Sequence, residues 1–173
     1  MRHSLASCFG LLLMLTSPAP ADTLHVITAY VEAGEPQGAL LVQREGRASQ
    51  LLSPERIAEL TPITQRVGFA TGQSDQQNEW TGPLLWDVLT ASGVIESTSP
   101  RDLAHLAVRI TGADGYAAVV AVGEVAPEFA GKPIQIASKM NGAPLPGQSL
   151  RLIVPGDQVG GRSVRDVVRI DVY

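Results

Sequence analysis

The chain has 173 residues, 45% of them hydrophobic and 17% charged, and 13 basic residues against 17 acidic ones leave a formal net charge of −4. That is one domain's worth of chain, long enough to bury a core that needs no covalent staples. The acidic balance argues against nucleic acid or an anionic membrane as the main partner, and one cysteine, Cys8, excludes an internal disulfide framework.

In chain order, Arg2, the apolar run Leu11–Leu15 and Ala19-Pro20-Ala21 come first. A charged start, a short apolar segment and a small-residue cleavage site are the pattern of a removable secretory leader, expected over residues 1–21 with cleavage after Ala21. The expected location is the periplasm. The apolar run is too short to span a bilayer, so no membrane insertion is expected, and Pro18 and Pro20 would break a buried helix there. Cys8 falls inside the leader and ahead of its apolar run, so neither a lipoprotein anchor nor a thiol in the mature chain is expected. Residues 22–173 are read as a single domain.

Leu24–Tyr30 alternates and Gly38–Gln43 is a second apolar run; both read as strands, parted by Gly34-Glu35-Pro36. Ser53-Pro54-Glu55-Arg56 supplies an N-cap, a proline at the first helical position and an acidic first turn, which predicts a helix over Pro54–Leu60. A strand around Arg66–Thr71 leads into a run, Gly72–Glu79, that is polar throughout and reads as a loop. Next comes a helix over Pro83–Ser92, with Leu84, Leu85, Val88 and Leu89 on one face and Gly93 as its C-cap. Strands are then expected at Ala107–Thr111, Tyr116–Val122, Ile134–Ser138, Leu150–Val154 and Val164–Val172. Asp114-Gly115 marks a turn, and Asn141-Gly142 between two strands is a strong hairpin signal. The sum is a single α+β domain, sheet-rich, with two short helices.

Side-chain chemistry is sparse. Beyond the leader the histidines are His25 and His105, in unrelated contexts, and a structural metal site wants about four close Cys or His ligands; no metal is expected. No G-x-S-x-G is present to set up a nucleophile. Gly156–Gly161 is glycine-rich but joins two strands, so it lacks the helix N-terminus that makes a phosphate cradle. Asp75, Glu79 and Asp114 are loop carboxylates, and nothing in their spacing fixes an acid–base pair. No catalytic residue is assigned. Arg151, Arg162, Arg165 and Arg169 form a basic bunch, read either as a solvated strand face or as an anion pocket.

Five segments occur in an order with a counterpart elsewhere. Trp80-Thr81-Gly82-Pro83-Leu84-Leu85-Trp86-Asp87-Val88-Leu89, Thr111-Gly112-Ala113-Asp114-Gly115-Tyr116, Asn141-Gly142-Ala143-Pro144-Leu145, Leu150-Arg151-Leu152-Ile153-Val154-Pro155-Gly156 and Gly161-Arg162-Ser163-Val164-Arg165-Asp166-Val167-Val168-Arg169-Ile170 resemble the molybdopterin-binding domain of the sulfite oxidase family. The resemblance covers roughly residues 35–173 and implies that family's fold, mixed sheets with a few short helices. It also implies a molybdenum bound by a cysteine thiolate at a strand end, a position that falls on Ala70. Ala70-Thr71-Gly72-Gln73 is similar to the family's Cys-Ala-Gly-Asn run, but alanine has no donor atom.

What the resemblance leaves is a pocket for the organic part of the cofactor, with a pterin as the expected ligand and no bound metal. Its expected lining is Ala70, Thr71, Gly72, Gln73, Trp80, Asp114, Tyr116, Arg162 and Arg165. Gln73, Asp75, Gln76, Gln77 and Asn78 would hydrogen-bond the pterin edge and Trp80 would stack on its face. Short cysteine-free periplasmic proteins of this likeness include pterin-binding accessory proteins that signal to a membrane-anchored enzyme of cyclic-di-GMP turnover. The expected function is therefore an exported, non-catalytic pterin sensor, with a molybdopterin-dependent oxidoreductase or subunit as the alternative. A third reading is an interaction module with Trp80, Trp86 and Tyr173 in one partner-facing patch, although Trp86, in the apolar turn of its helix, reads rather as core.

Overall fold

A computed structural model describes residues 37–71, 74–97 and 99–173 and leaves the side chains of 70–76 undescribed. The leader, the strand expected over Leu24–Tyr30, Gly72 and Gln73 lie outside the described residues.

Strands β1 (Leu40–Arg44), β2 (Gln50–Leu52), β5 (Ala107–Gly112), β6 (Ala117–Ala121) and β11 (Val167–Val172) make one sheet in the order β2-β1-β11-β5-β6. β1 runs parallel to β11 and the other neighbours are antiparallel. β1 starts at Leu40 rather than at the expected Gly38, whose φ of 83° is left-handed and outside the strand region. One face of this sheet buries Leu40, Val42, Val108, Ile110, Val120, Ile170 and Val172 in the main core.

Helix α1 (Pro54–Ala58) begins as expected, with Ser53 Oγ accepting from Arg56 N at 3.4 Å. Helix α2 (Leu85–Ala91) lays Leu85, Val88 and Leu89 on that core. It starts two residues later than expected because Pro83 still belongs to a strand, paired with Pro62; Gly93, at φ 71°, follows its end. α3 (Pro100–Leu103) and α4 (Val122–Val125) raise the helix count above the expected two. Each is a single turn, too short for a helical period to show in sequence.

The largest departure concerns the polar run. Residues 74–79 are not loop but the first part of β4 (Ser74–Pro83), which pairs along its whole length with β3 (Pro62–Thr71), from Pro62↔Pro83 to Thr71↔Ser74. The ribbon has two unlike faces. One carries Thr64 opposite Thr81, Arg66 opposite Glu79 and Gly68 opposite Gln77; the other carries Gln65, Val67 and Phe69 beside Trp80. β3 brings most of the apolar residues to the shared face, so β4 can be polar and still pair.

β8 (Lys139–Met140) and β9 (Ala143–Pro144) form the expected hairpin, with Asn141 at φ 51° and Gly142 at φ 80°, the two positive angles of a type I′ turn. They extend the ribbon into a four-stranded sheet, β3-β4-β8-β9. β7 (Gln135–Ala137) and β10 (Arg151–Ile153) pair separately. They fall inside the expected Ile134–Ser138 and Leu150–Val154, just as β11, with 6 residues, starts three positions into the expected Val164–Val172.

Candidate functional site

Val67, Trp80, Ala137, Leu145 and Ile153 form a second, smaller core between the ribbon and the β7–β10 pair, with Phe69 and Met140 packed against it. Trp80 is 2% exposed, its Nε1 donates to the Val67 carbonyl at 3.3 Å, and the Arg151 guanidinium lies 4.9 Å from the ring centroid. A stack with a flat ligand needs an open ring face; here one face takes Arg151 and the ring as a whole belongs to the core. Nor do the tryptophans share a patch: Trp86 packs on the main core and Trp80 in the smaller one.

Several of the other expected residues meet at the loop between β10 and β11. The Gly160–Arg162 turn packs against the end of β3, where a Cβ on Gly160 would lie 3.5 Å from Phe69 Cγ. Tyr116 donates its hydroxyl to the Gly161 carbonyl, and its backbone N–H is held by Asp114 Oδ1 at 2.9 Å, an Asx turn. Ala70 and Thr71 end β3, paired with Asp75 and Ser74. The structure thus brings Tyr116, Asp114 and Arg162 to one loop and sets that loop beside the strand end that carries Ala70. Arg165 lies exposed three residues further on.

Arg162 is already occupied. Its Nε and one terminal nitrogen donate to both Asp157 oxygens at 2.9 and 2.6 Å, and its other terminal nitrogen reaches Glu124 at 3.3 Å. Glu124 in turn accepts from Lys132 at 2.8 Å. The bidentate Asp157 contact, ahead of the cost of burial, holds the Arg162 guanidinium above its ordinary value. Sequence reasoning misses Asp157, Glu124 and Lys132 because their separations, 5 to 38 positions from Arg162 or Glu124, follow no local pattern.

Burial pushes the Glu124 carboxyl up, but the Lys132 hydrogen bond and the Arg162 and Lys132 charges outweigh it, and the group sits below the ordinary glutamate value. A lowered folded value means that the contribution is complete above the ordinary value and fades as pH falls through the lowered one. Glu124→Gln is therefore expected to remove part of the acid-side fall in Tm, seen by comparing melts of the two proteins between about pH 3 and pH 6. Parallel curves would show that the network adds nothing.

A separate hollow of about 350 Å³, open to solvent, lies on the polar side of the ribbon and is lined by Arg66, Gln77, Glu79 and Asn141. Asn141 closes it by accepting from Glu79 N at 2.9 Å and donating to Asn78 Oδ1 at 3.0 Å. Of the two side chains expected to hydrogen-bond a ligand that are described, Gln77 lines this hollow and Asn78 is tied to Asn141 at its edge.

A family model described as an oxidoreductase molybdopterin binding domain matches residues 53–173. Among solved structures, the sulfane dehydrogenase SoxCD from Paracoccus pantotrophus is similar, with a TM-score of 0.61 and 17% identity over 81% of this chain and 39% of that one. At that identity the likeness is one of fold, and this chain spans well under half the length of the protein it resembles. The sheet-rich architecture expected from the sequence is the one found. No curated protein matches the chain.

Proposed function

The chain belongs to the oxidoreductase molybdopterin-binding domain family, and from that premise we propose that it binds the organic, pterin half of such a cofactor, or a similar heterocycle, without a protein thiolate on a metal. One observation carries the reading: the matched span, 53–173, contains no cysteine, since the chain's single one is Cys8. The molybdenum site implied by the resemblance uses a soft thiolate, and neither Ala70 nor any other residue of that span offers one. The donor set therefore does not fit the metal, and no oxo-transfer step is derived through it. For the organic half the chain does offer groups, namely the arginines, hydroxyls and backbone carbonyls gathered where the Asp157–Arg165 loop meets the end of β3.

Family membership and the likeness to a dehydrogenase favour a second reading, a molybdopterin-dependent oxidoreductase or a subunit of one. They support that lineage more directly than any signalling role. The accessory role beside a membrane-anchored enzyme of cyclic-di-GMP turnover is supported by the resemblance alone, and a periplasmic location by the leader-like opening residues alone.

The test is extraction. Protein expressed from the full chain, purified folded, then denatured and oxidised, is expected to release a fluorescent pterin in near-stoichiometric amount. A folded protein that releases none overturns both readings.

A further inference from the structure

The two larger sheets end in four edge strands, β2 and β6 in one and β3 and β9 in the other. Edge strands carry unpaired backbone groups, and proteins blunt them with shortness, charge or proline. β2 has three residues, β9 has two and includes Pro144, and β3 carries Pro62 and Arg66. β6, five residues long, has none of these devices. Tyr116-Ala117-Ala118-Val119-Val120-Ala121-Val122-Gly123 contains no charge and no proline, and Tyr116 and Val119 are 52% and 49% exposed.

The ladder shows which backbone groups of β6 are open. Gly112 N donates to the Tyr116 carbonyl and Val122 N to the Leu106 carbonyl, both at 2.9 Å. Antiparallel pairs alternate between hydrogen-bonded and non-bonded positions. Ala118 and Val120 therefore turn their backbone groups to Ile110 and Val108, while Ala117, Val119 and Ala121 turn theirs away from β5. The Ala121 N–H is taken by the Glu124 carboxylate, the backward reach of an acidic residue in a first helical turn. Ala117 and Val119 are left, each with an N–H and a C=O that no described residue meets.

We propose that β6 is an interface between two copies of this chain, which pair edge to edge and antiparallel about a two-fold axis. With Ala117 of each copy opposite Val119 of the other, every open N–H and C=O of these residues finds its counterpart. The register with Val119 on Val119 would need the Ala121 N–H that Glu124 already holds. The strand also complements itself in size and charge. On one side of the joined sheet Val119 meets the smaller Ala117 of the second copy. On the other side Tyr116 comes opposite Val120 of the second copy, an aromatic and β-branched pair. Beyond the end of β6 the charges balance within each copy, Glu124 and Asp157 against Lys132 and Arg162, so two copies do not repel there. A charged partner strand would find nothing along β6 to pair with. The interface does not depend on the ligand proposed above.

Sedimentation equilibrium on protein expressed from the full chain, over a range of loading concentrations, reads the association. The expected result is a reversible dimer with a dissociation constant in the range of roughly 1–100 µM, as suits a small interface. Val119→Lys sets a charge on the edge and is expected to weaken the dimer roughly tenfold or more. Val119→Pro, tolerated where the N–H faces outward on an edge strand, removes a donor and is expected to weaken it as well. Leu51→Lys, on the opposite edge strand β2 where Leu51 is 40% exposed, is expected to change it by less than about twofold. Hydrogen exchange on the unmodified protein needs no variant: the Ala117 and Val119 amides are expected to be protected at high concentration and to exchange freely at low concentration.

A chain that stays monomeric up to about 1 mM overturns the proposal. So does a dimer that Val119→Lys leaves intact, or one that Leu51→Lys breaks. Protection of Ala117 and Val119 that does not change with concentration also overturns it, because the edge would then be covered from within the same chain.

Discussion

Gly82→Ala is expected to destabilise the protein strongly, since the added Cβ would make the shortest contact of any glycine with a described environment. A Cβ there would lie 2.1 Å from the Ile136 carbonyl oxygen and 2.6 Å from Ala137 Cα. Both are backbone atoms of β7, and β7 cannot step aside. It is paired to β10, bridged to Leu84 by Gln135, and bounded by hydrogen bonds from Ser138 N to the Thr81 carbonyl at 2.9 Å and from Leu85 N to the Ile134 carbonyl at 2.8 Å. Gly82 is thus where β4 crosses β7, a close backbone approach that only glycine permits. Overpacking ordinarily costs about 1–3 kcal/mol; with no flexible side chain to yield, about 3 kcal/mol or more is expected, a fall in Tm on the order of 10 °C. Gly161→Ala is the control, because a Cβ there meets nothing within 4 Å and its φ is not left-handed. A Gly82→Ala protein that melts within about 2 °C of the parent would show that the two strands are less tightly apposed than described.

Trp80→Ala is expected to cost about 3–5 kcal/mol, the range for truncating a buried tryptophan. It empties the centre of the smaller core, orphans the Val67 carbonyl contact and removes the platform under Arg151. Trp80→Phe keeps most of the packing and is expected to lose less than half as much. Urea unfolding of both variants measures this. If Trp80→Ala instead left stability unchanged and removed only ligand binding, Trp80 would be a pocket residue as the sequence suggested, and its burial would have no energetic weight.

The hairpin at Asn141-Gly142 was legible because both residues tolerate positive φ, which the turn demands. The α2 face was legible because Leu85, Val88 and Leu89 repeat at the helical period and all face the core. The ribbon was not, because a strand is recognised by its own alternation and Ser74–Glu79 has none; the apolar positions of that face, Val67 and Phe69, sit on the partner strand. A weaker signal was present in Thr71-Gly72-Gln73-Ser74, since glycine first in a two-residue connection is a common hairpin composition.

For the site, the resemblance placed Tyr116, Asp114 and Arg162 near one another, and the loop contacts agree with that. It could not show that Arg162 is tied up by Asp157 and Glu124, since that depends on a side chain 38 positions away. Nor could it separate Arg151 from Arg169: one finds its partner 12 positions on, at Ser163 in the loop before β11, and the other two positions along its own strand.

The central claim is that this domain keeps the family's fold and the organic half of its ligand while lacking the means to hold the metal through a thiolate. The ratio of molybdenum to extractable pterin tests it most directly, measured on folded protein expressed from the full chain in a host that makes the cofactor. Pterin near one per chain with molybdenum far below it is the predicted result; molybdenum and pterin present in equal, near-stoichiometric amounts would contradict it.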